Sequence, residues 1–349
     1  MLILLKSRSI SRLCRTKDGL RLTFIMKTLK ELQNIIAAAV GNLNFPAYPA
    51  ELYEPISYIL SIGGKRMRPA LLLMACDLFK GDIHAAIKPA LAIELFHNFT
   101  LMHDDIMDKA PLRRGNATVH ERWGESVAIL SGDAMFVEAY KFITRVDPNI
   151  LKPVLDIFNQ TAIGVCEGQQ IDMNFEQRNN VGIDEYLNMI RLKTAVLLGG
   201  ALKIGALIGG ADEKNAALLA EFGEQLGIAF QLQDDILDVY GDPDKFGKQV
   251  GGDIISNKKT YLLIKALELA KDNHAMELHR RINALEFDAK EKVDAITSIY
   301  NELGIRKQAE EAMQNHAEKA YEALKAISVP EEQKQQLRSF ADGLLVREF

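Results

Sequence analysis

Cysteine is scarce: the 349 residues hold three, Cys14, Cys76 and Cys166. Odd in number, widely spaced and in no CxxC pair, they exclude a disulfide framework and a zinc knuckle, and they fit a reducing cytoplasm. An excess of one charge is also missing. Lys and Arg total 42 against 47 Asp and Glu, a net charge of −5, which provides no basic field for nucleic acid or an anionic membrane surface. Nor is there a bilayer-spanning run. The most lipid-like stretch, AVLLGGALKIGALIGGA from Ala195, is interrupted by Lys203 and falls short of the ~20 apolar residues required. It reads as a buried helix whose glycines serve either close helix approach or simple core packing. Hairpin signals, fixed-period repeats and Pro/Ser-rich linkers are likewise absent.

What is present is a helical pattern. Hydrophobic residues make up 48% of the chain, enough for a large core. Segments near 84–109, 124–145, 150–175, 184–210 and 213–240 keep a 3.6-residue apolar period. The fold class expected is therefore all-α, in one domain. Residues 1–25 stand apart, with six Lys and Arg against the single acid Asp18. Such a basic, Ser-containing stretch is either similar to a transit peptide or a disordered extension. Thr28-Leu-Lys-Glu31 is a capping-box pattern, so the helical body, residues 26–349, is expected to start there.

Two acidic clusters interrupt this apolar background. LMHDDIMDKAPLRRG, from Leu101, holds Asp104, Asp105 and Asp108; FQLQDDILD, from Phe230, holds Asp234, Asp235 and Asp238. A DDxxD string arises by chance in about one chain in ten of this length, and two copies far less often. On a helix, residues i and i+4 share a face, so Asp104 pairs with Asp108 and Asp234 with Asp238. One copy alone could be a solvated acidic face. Both copies, however, are embedded in apolar residues, where crowded carboxylates repel one another and are costly to desolvate. A bound cation removes that cost.

Carboxylate-only ligation points to a hard ion, Mg²⁺, which keeps several waters and bridges one or two carboxylates to phosphate oxygens. A polyphosphate substrate then requires cations. Candidates are Lys65, Arg66 and Arg68 in GGKRMRP, Arg113 and Arg114 in LRRG, Lys193 in RLKTA, and Lys248 and Lys258 in FGKQVGGDIISNKKT. GGKRMRP is not a P-loop, because no Ser or Thr follows Lys65. DPDKFGKQVGGD is not an EF-hand, because it lacks the acid at its fifth position and the final Glu.

Taken in order, GGKRMRP, DDIMD with LRRG, the Lys193-Thr194 pair, FQLQDDILD and the GK…GGD…K segment resemble the trans-prenyl diphosphate synthases, over roughly residues 27 to 349. The resemblance implies an all-helical bundle around a deep central cavity, usually a homodimer. It also implies condensation of isopentenyl diphosphate with an allylic diphosphate, through loss of diphosphate and attack of an alkene on the carbocation. By that similarity Asp104, Asp108 and Asp234 hold Mg²⁺, and Asp105, Asp235 and Asp238 complete the clusters. Arg113, Lys193 and Lys248 are further counter-charges, Lys258 belongs to the same substrate-binding set, and Lys65, Arg68, His97 and Arg114 hold isopentenyl diphosphate. Thr194 and Gln231 are similar to dipoles that face the carbocation, and Gln169 and Asp172 to residues that order water near the metals. On an ideal wheel His97 falls about 20° from Asp104, with Thr100 on the same stripe.

Product length in this family is set just before the first acid cluster, at Phe99 and Thr100, with Phe96 a turn earlier. An aromatic there implies a short product, farnesyl or geranylgeranyl diphosphate. On the wheel Phe99 lies about 140° from Asp104 and Phe96 about 80°, so both remain candidates. Two other functions stay open: a class I terpene cyclase, which would not need Lys65, Arg68, His97 and Arg114, and a non-catalytic subunit of a heteromeric synthase.

Overall fold

The computed structural model of the chain describes residues 12–16, 19–23, 26–178, 180–242 and 251–345; Lys248 lies outside them. The architecture is all-α, as the apolar periods predict. In chain order the helices are α1 (Leu29–Gly41), α2 (Ala50–Ser61), α3 (Met67–Leu78), α4 (Ile83–Met107), α5 (Val119–Trp123), α6 (Glu125–Ile143), α7 (Pro148–Glu176) and α8 (Ile183–Ile190). They continue as α9 (Val196–Ile208), α10 (Glu213–Tyr240), α11 (Gly252–Ile255), α12 (Tyr261–Leu269), α13 (Asp272–Ile282), α14 (Ala289–Glu302), α15 (Ile305–Ala326) and α16 (Glu331–Leu345). No described helix is long and apolar enough to cross a membrane.

The chain forms two compact units. One comprises Met1–Ala162, Gly200–Ala220 and Ile327–Leu337, the other Ile163–Gly199, Glu221–Ala326 and Arg338–Phe349. Each is assembled from three separated stretches, so no linker marks the division in the sequence.

In the first unit, α1 begins at the expected capping box: Thr28 N donates to Glu31 Oε2 at 2.8 Å and Glu31 N to Thr28 Oγ1 at 3.3 Å. Helix α4 packs against α3 and α6. Its residues from Pro89 to Phe96 are all buried, as a helix apolar on every face requires. Water reaches it at its first turns, where His84, Ala85 and Lys88 are exposed, and again towards its C-terminus. There Asp108 N bonds Asp104 O and Ala110 N bonds Asp105 O, each at 2.9 Å, across the left-handed Lys109. This wrapped end satisfies the last carbonyls and stops the helix. The glycine stripe of α9 serves close approach. A Cβ on Gly205 would fall 2.0 Å from the Leu72 carbonyl oxygen of α3, and one on Gly209 2.8 Å from that of Cys76.

The second unit packs around Tyr186, Leu232, Ile236, Leu262, Ile296 and Tyr300. Helix α12 touches α8, α14 and α15. The single helix expected near 184–210 is interrupted, because Arg191–Ala195 forms a π-helical turn. Strands were not expected, yet two short antiparallel pairs occur among the described residues. Arg12–Thr16 pairs with Gly19–Thr23 within the basic N-terminal stretch, and Leu112–Arg113 pairs with Asn116–Ala117.

Candidate active site

In the first unit the acids occupy the last turn of α4, with Asp108 as its C-cap. Helix carbonyls make that end negative, so each carboxylate there is disfavoured by ~0.3–1 kcal/mol before mutual repulsion is counted. Cationic compensation is built in for one of them. Buried Asp105 receives Arg113 Nε at 2.8 and 2.9 Å and Nη2 at 2.7 Å, while Asp104 Oδ2 lies 3.9 Å from Arg113 Nη2. Burial alone would lower the Arg113 pKa, but the hydrogen bonds and charge of Asp105 outweigh it and raise the value. Asp105 is thus the acid that anchors Arg113. Asp104 is half-buried and Asp108 exposed.

Arg113 and Arg114 sit on the hairpin Leu112–Ala117, which turns at left-handed Arg114 and Gly115. Tyr58 of α2 fastens it, donating its hydroxyl to Ala117 O at 2.6 Å. The Arg114 guanidinium then lies on the Gly63–Gly64 loop: it donates to Gly63 O, and a Cβ on Gly64 would fall 2.6 Å from its Nη1. Gly63 and Gly64 both have positive φ, 85° and 146°, a backbone that side chains with a Cβ rarely adopt, which is a physical reason for the GG of GGKRMRP.

The same loop leads into α3, placing Arg68 in its first turn, where the free amides of a helix favour an anion. Arg68 Nη1 lies 3.2 Å from His97 Nε2, and Arg68 Nε is buried without a protein partner. Burial pulls the Arg68 pKa down to about 10. Burial, then the charges of Arg68, Arg114, Arg113 and Arg66, holds His97 well below the usual imidazole value. Lys65 is exposed, its carbonyl accepting from Gln33 Nε2 at 2.6 Å. Arg66 turns inwards, to Glu94 and Leu60 O. Thr100 Oγ1 donates to His97 O at 2.8 Å.

Phe96 and Phe99 enter an aromatic cluster with Phe136, Tyr140 and Phe158. Phe99 stacks on Phe136 at 4.9 Å and 13°, while Phe96 is fully buried among Phe99, Phe136 and Phe158.

In the second unit, Asp234, Asp235 and Asp238 repeat the placement, in the last two turns of α10. Asp235 is again the buried member. Its Oδ2 accepts from the Tyr186 hydroxyl and from Tyr261 N at 3.3 Å, and its Oδ1 from Gln231 Nε2 at 3.3 Å. Burial pushes its carboxyl up to about 7, against the Tyr186 hydrogen bond. Asp238 Oδ2 accepts from Asp253 N at 3.0 Å, and Asp253 lies 4.0 Å from Lys258. Lys193 stands on the π-helical turn and donates to Asp172 Oδ2 at 2.5 Å; Thr194 follows it, half-buried. The backbone there is pressed against α7, since a Cβ on Gly168 would fall 2.3 Å from Lys193 N. Gln169 is half-buried on α7.

Residue patterns alone did not single out Glu94 or Tyr186 as partners of the functional groups. Glu94 had one faint signal, a lone acid inside the apolar run LAIELF. Tyr186 had none, since tyrosine in an apolar period reads as core.

Among the described residues no three His, Cys, Asp or Glu side chains group as a self-sufficient metal site. Each cluster by itself nonetheless fits Mg²⁺. It is all carboxylate, it lies towards the C-terminus of its own helix, an end that favours a cation, and Mg²⁺ needs only one or two carboxylates when phosphate and water complete its shell.

The chain matches the family model described as polyprenyl synthetase over residues 49–303. It is 40% identical over 246 residues to a geranylgeranyl diphosphate synthase of Methanosarcina mazei, covering 70% of this chain and 76% of that one. It is 36% identical over 307 residues to a geranylfarnesyl diphosphate synthase of Aeropyrum pernix, covering 86% and 95%. A crystal structure of a geranylgeranyl pyrophosphate synthase superposes with a TM-score of 0.88 at 43% identity, covering 93% of this chain and 100% of that one.

Proposed function

The chain belongs to the polyprenyl synthetase family, and from that premise we propose that it is a trans-prenyl diphosphate synthase condensing isopentenyl diphosphate with an allylic diphosphate. The observation that carries this reading is the cation pocket of Arg68, His97 and Arg114, which shares one unit with the aspartates of α4. A cyclase has no second diphosphate to place there.

On this reading Asp104 and Asp108 of α4, and Asp234 of α10, are the residues that would hold Mg²⁺, which would supply Lewis acidity for the departure of the diphosphate. The protein's own groups do the rest. Lys65, Arg68 and Arg114 bind the isopentenyl diphosphate without metal, and neutral His97 donates a hydrogen bond to it. Asp105 fixes Arg113, and Asp172 fixes Lys193, so that two cations stand ready for the negative charge that develops on the leaving group. Lys248 and Lys258 add to that charge. Asp238 holds the Asp253 segment in place. Asp235 engages the amide nitrogen of Gln231, which leaves its oxygen, with the Thr194 hydroxyl, to stabilise positive charge in the allylic carbocation. The proton lost at the end passes to the bound diphosphate, so no protein base is needed.

The product is geranylgeranyl or farnesyl diphosphate, with Phe99 as the floor. The working unit is a homodimer in the cytoplasm. Exposed Ile129, Leu130 and Val137 on α6 support association, and unpaired Cys76 and Cys166 support a reducing compartment.

The test is chromatography of products from the purified chain with Mg²⁺, labelled isopentenyl diphosphate and each allylic primer in turn. Labelled prenyl diphosphates are expected. Products formed from the allylic diphosphate alone would replace this reading with the cyclase, and no turnover without a second polypeptide would replace it with the non-catalytic subunit.

A further inference from the structure

Arg66 and Glu94 form a buried ion pair whose side chains are 8% and 4% exposed. The pair is oddly placed for a stabilising element. Replacing such a pair by apolar residues is often neutral or favourable, whereas losing one partner strands a buried charge. Moreover Arg66 adopts a left-handed backbone, φ 48° and ψ 39°, which is unfavourable for a residue with a Cβ. Some contact has to hold it there. Glu94 does so, and Arg66 Nη2 also donates to Leu60 O.

The geometry explains what the strain achieves. Arg66 caps the start of α3, with Lys65 before it and Arg68 two residues on. Glu94 lies on α4 one turn before His97, and it is itself held by Asn98, whose Nδ2 reaches both Glu94 O and Oε1 at 2.8 Å. The pair therefore sets the register between the loop that carries Lys65 and Arg68 and the helix that carries His97. Burial lowers the pKa of both Arg68 and Arg114, and Glu94 bears a nearby negative charge that partly offsets it.

We propose that Glu94 is a positioning residue for a metal-free diphosphate pocket: through Arg66 it holds Lys65 and Arg68 against His97 in the arrangement that receives a diphosphate. This deepens the function proposed above and rests on it for the identity of the substrate.

The test is calorimetric titration of the full chain with inorganic pyrophosphate in EDTA, where the aspartate clusters carry no metal. Wild type binds, and Glu94→Gln binds ~10-fold more weakly or worse, since slight misplacement of binding groups costs at least that much. Because Glu94→Gln strands Arg66, the double variant Arg66→Met/Glu94→Leu replaces the pair by apolar side chains. It is expected to keep or raise the melting temperature and still bind weakly. In steady state both variants raise KM for isopentenyl diphosphate and leave KM for the allylic substrate unchanged, a split that general loosening of the fold does not produce. Wild-type pyrophosphate affinity in the double variant, equal rises in both KM values, or no binding to wild type in EDTA would each overturn the inference. A wild type that binds pyrophosphate in EDTA yet makes product without isopentenyl diphosphate would instead sink the functional reading and leave the positioning role standing.

Discussion

Arg68 and His97, 29 residues apart in sequence, meet with guanidinium Nη1 3.2 Å from imidazole Nε2. A guanidinium has donors only, so Nε2 is the acceptor and the ring proton sits on Nδ1. The pair thereby fixes the tautomer and leaves one imidazole donor for an anion.

The pH dependence of stability follows. Burial first, then Arg68, keeps native His97 well below its unfolded pKa of 6.5. Below that value the unfolded chain takes up a proton that the native protein refuses, so this residue's contribution to stability falls as pH drops from 6.5 towards the depressed native pKa. Urea unfolding at pH 8 and pH 5.5 is expected to show wild type losing about 1 kcal/mol more than His97→Gln over that interval. Parallel losses would contradict a neutral native His97.

The two neighbouring aspartates of α4 should separate in their response to metal. Asp105 is engaged with Arg113, whereas Asp104 is half-buried at the helix end. Asp104→Asn is expected to raise the Mg²⁺ concentration at half-maximal activity and to lower kcat ~100-fold or more. Asp105→Asn frees Arg113, with a loss of about 1.5–3 kcal/mol for hydrogen bonds to charged groups, and leaves the Mg²⁺ midpoint near wild type. Magnesium titration of each variant, with a urea curve alongside, checks the assignment.

The difference between those aspartates marks what sequence could and could not disclose. The capping box at Thr28 and Glu31, the ends of α10 and the shared face of Asp104 with the last turn of α4 are local, and a 3.6-residue period or a four-residue motif encodes them. Partners distant in the chain escape it. Nothing in LRRG announces that Arg113 folds back onto Asp105, nor in GGKRMRP that Arg66 finds Glu94 while Arg68 finds His97. The π-helical turn at Arg191–Ala195 escaped for another reason. It adds one residue to a helix without changing its apolar composition, so residues 184–210 read as continuous. Its place under Lys193 and Thr194 fits the tendency of such turns to occur at functional sites.

Tyr186 offers a test in the other unit. Its hydroxyl donates to buried Asp235, which shares its remaining acceptors with Gln231 and the Tyr261 amide. Tyr186→Phe deletes one hydrogen bond to a group whose charge is already disfavoured by burial, so about 1–3 kcal/mol of stability is expected to go. Because the Tyr186 bond lowers the Asp235 pKa, its loss moves that pKa up from about 7. A raised carboxyl contributes stability at low pH that is lost as pH rises through the native pKa. The loss in Tyr186→Phe is therefore larger at pH 8 than at pH 5, and a loss equal at both pH values would show that Asp235 does not titrate there.

The aromatic cluster separates a ring that shapes the product from one that holds the core. Phe96 is fully buried between Phe99, Phe136 and Phe158, whereas Phe99 is half-buried and stacked flat on Phe136. Truncating a fully enclosed Phe leaves a cavity and costs ~3–5 kcal/mol. Phe96→Ala is thus expected to lower the melting temperature steeply with the product unchanged. Phe99→Ala, at the edge of the cluster, is expected to cost less and to lengthen the product, since an extra isoprenoid unit would then occupy the space its ring vacates beside Phe136. Chromatography of the dephosphorylated products decides between them: longer chains from Phe96→Ala alone would move the floor to Phe96 and leave Phe99 as packing.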